Sequence, residues 1–141
     1  MKVAMGADHG GYALKESVKK YLTEEGYEIE DLGCDAPERC DYPVFGKAVA
    51  QAVAQGKAER GIVICTTGIG ISIAANKVEG IRCALCTDTF MAKMCRLHND
   101  ANVLSMGAGI TGDLEAKEIA KVFLETEFSN GERHVKRVAM L

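Results

Sequence analysis

The residues best placed for chemistry lie in GIVICTTGIGISIAANK, residues 61–77. An apolar run ends in Cys65. Gly68 and Gly70 follow at once, and a helical pattern begins. A thiol at a strand end facing a helix N-terminus is favoured as the thiolate, its reactive form. The plain alternative is a buried structural cysteine. The turn fails as a dinucleotide fingerprint, because Ile73 stands where G-x-G-x-x-G needs its third glycine, and it lacks the Gly-Lys-Ser/Thr ending of a nucleotide P-loop. It keeps the general property of such turns, several N–H groups aimed at one point, which attract a phosphate or an oxyanion formed during reaction. A tight turn needing glycine explains the spacing equally well.

Three further groups carry titratable or cationic side chains. ADHGG places Asp8 and His9 after the first strand. There they line a cleft beside Cys65, or one of them caps the next helix. RLHND places His98, Asn99 and Asp100 at a helix end. His98 is either a general acid/base near neutral pH or a surface cation favoured by the helix dipole. GERHVKR contains Arg133, His134 and Arg137. A spacing of four puts both arginines on one helical face, which suits a phosphate monoester as well as a solvated basic tail.

Strands must deliver these residues. The chain reads as strand 2–8, a helix with Leu14, Val18, Tyr21 and Leu22 on one face, strand 27–33, and a polar loop holding Pro37 and Pro43. A helix over 44–55 turns Ala48, Val49, Ala52 and Val53 inward. Strand 61–65, a short helix after the glycine turn, and strand 81–86 follow. Next come a helix capped by Asp88 with Met91 and Met94 on its core face, strand 102–107, a helix over 112–128 with Leu114, Ile119, Val122 and Phe123 inward, and a last helical piece. Alternating β and α imply a single-domain three-layer α/β/α sandwich over 1–141, Rossmann-like (flavodoxin-like), with a five-stranded parallel sheet. Ligands bind such folds beyond the carboxyl ends of the strands, where Asp8, Cys65 and Gly107 to Gly109 fall.

A net charge of -3 over 141 residues argues against a nucleic-acid binder. No apolar run approaches membrane-spanning length, and the N-terminus meets Asp8 and His9 too early for a secretion signal, so a cytoplasmic protein is expected. The six cysteines are then expected to be free thiols. Cys83 and Cys86 form a C-x-x-C, but on a strand their side chains point to opposite faces, which disfavours a redox pair. No second Cys or His pair completes a zinc site.

The segments GADHGGYALK, CDYPVFGKAVAQAV, GIVICTTGIGISIAANKVEGIRCAL, RLHNDANVLSMG and GERHVKRV resemble, end to end, the family of type B ribose-5-phosphate isomerases and galactose-6-phosphate isomerase subunits. The resemblance implies aldose–ketose isomerisation of a sugar phosphate, most directly D-ribose 5-phosphate to D-ribulose 5-phosphate. It implies no cofactor and no metal, and a homodimer or dimer of dimers with sites at the subunit interface. It implies that His98 helps open the furanose ring and that Cys65 moves the proton between C2 and C1. The backbone of Thr66, Thr67, Gly68, Ile69 and Gly70 would hold the enediolate oxygens, with the Thr67 hydroxyl assisting. Asp8, Tyr42 and Asn99 would bind sugar hydroxyls, and His9, Arg133 and Arg137 the phosphate. The chain departs from the ribose enzymes at Gly109, where they carry an arginine, and this admits a six-carbon sugar phosphate such as allose or galactose 6-phosphate. Cys65 and His98 match the ribose and allose enzymes, whereas the galactose A-type subunit lacks the cysteine, so catalytic self-sufficiency is expected.

Overall fold

Five segments pair into one parallel sheet: β1 (Lys2–Ala7), β2 (Glu28–Asp31), β3 (Arg60–Cys65), β4 (Cys83–Leu85) and β5 (Val103–Gly107). The computed structural model describes residues 1–141. Six helices separate and follow the strands: α1 (Tyr12–Glu24), α2 (Tyr42–Ala54), α3 (Ile69–Asn76), α4 (Thr89–Asn99), α5 (Asp113–Glu125) and α6 (Glu132–Val138). Side chains alternate between the sheet's two faces. Met5, Ile62, Ile64, Leu104 and Met106 pack against α1, α4 and α5. Ala4, Val63, Cys65 and Val103 pack against α2 and α3. Both faces are therefore covered, as a three-layer sandwich requires.

The strand order is β2-β1-β3-β5-β4. In the flavodoxin-like order the last two strands stand in chain order; here they exchange. The exchange sets β5 beside β3, pairing Cys65 with Gly107, and so brings the loop after β5 against the turn after β3.

Three sequence expectations are corrected. Leu114 is 79% exposed, because the buried stripe of α5 starts two residues later with Ala116 and continues through Ile119, Ala120 and Phe123. Met91 is exposed, because α4 buries Ala92, Cys95 and Arg96 instead. Pro43 belongs to the first turn of α2, where its missing N–H costs nothing, rather than to the preceding loop. The Asp88 cap is present, its carboxylate accepting from Met91 N–H at 2.7 Å.

Lys15 was not expected in the core, yet its side chain is wholly buried. Its ammonium donates to both carboxylate oxygens of Asp31 (2.7 and 2.9 Å) and to the Cys34 carbonyl (2.8 Å). Burial opposes charge on Asp31, but hydrogen bonds from Lys15, Lys19 and the Gly33 N–H outweigh it and hold the carboxyl at about 2. A carboxyl depressed on folding stabilises the fold above its unfolded value near 4 and loses that contribution as pH falls through about 2. Asp31→Asn should therefore lower the urea midpoint at pH 7, and the gap to wild type should close between about pH 4 and pH 2.

Candidate active site

Cys65 ends β3 with its side chain almost fully buried on the α2/α3 face. The chain then turns through Thr66 and Thr67, both exposed, into α3. Gly68 makes the turn possible: it caps α3 at φ +78°, a conformation that side chains with a Cβ adopt at a cost of about 1–2 kcal/mol. The Gly68 N–H donates to the Cys65 sulfur at 3.1 Å, and the Ile69 N–H donates to the Thr67 hydroxyl at 3.2 Å. The thiol thus faces the opening of a helix, with a backbone donor already on the sulfur.

Neighbouring loops enclose the turn. The Ala108 and Gly109 N–H groups donate to the Cys65 and Thr66 carbonyls, each at 2.8 Å. Gly107 lies so close to Thr67 that a Cβ there would meet the Thr67 carbonyl at 2.5 Å. From the β1 side, Gly10 packs against the Thr66 hydroxyl. The Asp8 carboxylate, buried, accepts from the Gly11 N–H at 3.0 Å and so braces the turn before α1, whose cap is Gly11 itself with no side-chain cap bond. His9 is exposed, and its Nδ1 accepts from the Cys40 N–H at 3.3 Å. The Tyr42 ring lies over Gly70, where a Cβ would meet it at 2.7 Å. Asp8, His9, Tyr42, Cys65, Thr66, Thr67, Gly68, Ile69 and Gly70 therefore share one end of the molecule, with Gly109 beside Thr66.

The other thiols differ from Cys65 in setting. Cys83 packs on the α3 face of the sheet and Cys86 on the α4 face, as expected for that spacing. Burial pushes Cys83 up to about 12, and burial followed by the Cys34 thiol pushes Cys40 up to about 11. The hydrogen bond to Cys95, then burial, raises Cys86 as well. All three stay protonated at neutral pH.

His98, Asn99, Arg133 and Arg137 form a second group. α4 starts beyond the carboxyl end of β4 and runs back, so His98 and Asn99 in its last turn lie at the amino ends of the strands. Arg82, just before β4, donates to the Asn99 and Asp100 carbonyls at 3.1 and 3.0 Å, and its own carbonyl accepts from Asn102 N–H. β5 begins there at Val103, and Cys65 is level with Gly107 at its far end. Four strand steps alone set the two groups about 13 Å apart. Each group is assembled within one chain; the two are not brought together in it.

His98, Asn99 and Arg137 of this group line a cavity of about 240 Å³ together with His134, Val138 and Leu141. The imidazoles of His98 and His134 stack, with centroids 4.3 Å apart and planes 11° from parallel. Partial desolvation, followed by the charges of His98, Arg133 and Arg137, holds His134 below its ordinary value. The sequence alone assigns His134 no role; its one signal is its place in the helix that carries Arg133 and Arg137.

Residues 3–141 match the Ribose/Galactose Isomerase family. The chain belongs to that family. A solved ribose-5-phosphate isomerase B from Clostridium thermocellum is 51% identical and superposes with a TM-score of 0.97, covering 99% of this chain and 94% of that one. Ribose-5-phosphate isomerase B of Escherichia coli is 45% identical over 97% of this chain and 91% of its own. D-erythrulose-4-phosphate isomerase of Pectobacterium atrosepticum is 41% identical over 93% of this chain and 87% of its own. This member of the family carries a thiol beside a donor-rich turn and, at the other end of the sheet, two arginines and two stacked histidines. No helix of this family member is long and apolar enough to cross a membrane.

Proposed function

We propose that this isomerase interconverts D-ribose 5-phosphate and D-ribulose 5-phosphate through a cis-enediolate. The observation that carries the reading is the buried Cys65 thiol facing the N–H groups that open α3, with Gly68 N–H already on the sulfur. As thiolate, Cys65 takes the proton from C2 of the open-chain aldose. The negative charge passes to the carbonyl oxygen at C1, where turn N–H groups meet it. The O2 proton leaves, O1 gains one, and Cys65 returns its proton to C1. The Thr67 hydroxyl assists the exchange between oxygens. Asp8, Tyr42 and Asn99 hold sugar hydroxyls, and His9, Arg133 and Arg137 hold the phosphate, whose remote binding fixes the reacting carbons in place.

Because the two groups lie at opposite ends of the sheet, the reading requires a second copy of the chain, whose His98, Asn99, Arg133 and Arg137 reach the Cys65 turn of the first. The surface around the turn supports this. Ile69, Ile73, Phe90 and Ile110 are each more than half exposed, an apolar collection of the kind an interface covers. His98 then opens the furanose by giving a proton to the ring oxygen.

Gly109 favours a second reading, a six-carbon sugar phosphate. It has no side chain to reach a phosphate, and a Cβ there would press on the Thr66 carbonyl at 3.1 Å. Comparing kcat/KM for D-ribose 5-phosphate, D-allose 6-phosphate and D-galactose 6-phosphate separates the two. The five-carbon substrate is expected to lead by about tenfold or more, and preference for a six-carbon phosphate would replace the first reading with the second.

A further inference from the structure

We propose that His134 is a positioning residue for ring opening: stacked on His98, it fixes the plane of that imidazole so that a ring nitrogen meets the sugar's ring oxygen. This rests on His98 being the ring-opening group.

His98 lies exposed in the last turn of α4, where the side-chain torsion that orients a histidine ring is broad. A proton donor needs a narrower distribution, because transfer depends on hydrogen-bond distance and angle. The structure supplies a restraint from α6. The Ser129 N–H and hydroxyl both donate to the Leu97 carbonyl, at 3.4 and 2.7 Å, one residue before His98. The same hydroxyl accepts from the Gly131 N–H at 3.2 Å, and the His134 N–H donates to the Gly131 carbonyl at 2.9 Å. A short chain of hydrogen bonds therefore runs from the backbone beside His98 to the backbone of His134. It ends in two rings 4.3 Å apart and 11° from parallel. Arg133 Nε lies 3.4 Å from His134 Nε2, on the same helix as Arg137. Partial desolvation and that basic surrounding hold His134 below its ordinary value.

The two directions of the reaction isolate ring opening. D-Ribose 5-phosphate closes to a furanose through O4. D-Ribulose 5-phosphate carries its phosphate on O5 and has no hydroxyl free to close a five-membered ring. His134→Ala should lower kcat/KM for D-ribose 5-phosphate about tenfold, the size of effect such a stack supports. Exchange of the C1 proton of D-ribulose 5-phosphate with D2O, followed by NMR, should stay within about twofold of wild type. His134→Phe retains a ring to stack and should recover turnover of the aldose. No loss in His134→Ala, equal losses on both substrates, or a His134→Phe variant as impaired as His134→Ala would overturn the positioning role. His98→Asn should show the same split in larger measure. If it does not, the ring-opening reading itself falls, an outcome separate from failure of His134 beside a split at His98.

Discussion

Cys65→Ala should reduce kcat for sugar-phosphate isomerisation by about 10³-fold, within the usual range for loss of a general base, while a phosphorylated enediolate analogue still binds. The two halves of this expectation come from different parts of the structure. The substitution removes the sulfur that we propose takes the C2 proton. It leaves the turn from Thr66 to Gly70, whose shape is set by Gly68 at φ +78° and by hydrogen bonds from Ala108 and Gly109 rather than by the thiol. Cys83→Ala is the matched control. Cys83 is half-buried on the same face of the sheet and is held protonated, so its loss should leave kcat within about twofold. Steady-state turnover together with calorimetric titration of the analogue checks both. Near-wild-type turnover in Cys65→Ala would remove the thiol from the chemistry, and loss of analogue binding would mean that the turn had collapsed.

The parts of the fold that could be read from sequence are those fixed by local pattern. The apolar run of β3 and the Asp88 cap needed only neighbouring residues. Leu114 and Met91 misled because a large apolar side chain in the first turn of a helix can precede its packed stripe. Lys15 and Arg96 are buried without any signal in the local pattern. Arg96 is buried because its guanidinium finds the Thr126 and Ala101 carbonyls and the Asp100 carboxylate, at 2.9, 2.5 and 2.9 Å. Those partners come from a later loop and from just past the helix end, and no periodicity in α4 announces them. The exchange of β4 and β5 was equally hidden, since alternation of strands and helices does not order a sheet.

The candidate site divides the same way. Spacing singled out Cys65, because strand, thiol and glycine turn are contiguous. It grouped Arg133 with Arg137, because they share a helix. It could not say that Cys65 and His98 lie at opposite ends of the sheet, which follows from α4 running back antiparallel to the strands. Nor could it find the His98–His134 stack, a contact between helices separated by a strand and a long helix in the chain.

That separation yields the second large effect. Co-expressed Cys65→Ala and His98→Asn chains, each nearly inactive alone, should regain activity together. If each site takes Cys65 from one copy and His98 from the other, a mixed dimer contains one site with both defects and one with neither. Random pairing makes about half the dimers mixed, so about a quarter of all sites are intact. Against a background reduced about 10³-fold, the gain is more than a hundredfold. A site completed within one chain predicts no gain, because every site would then carry one defect or the other. Separately tagged chains, purified through both tags, raise the expected fraction to about half, since every dimer recovered is mixed. The distinction depends only on which copy supplies each residue. It holds whether the preferred sugar has five carbons or six, and it tests the division seen in the single chain without assuming the roles of Asp8, Tyr42 or the arginines.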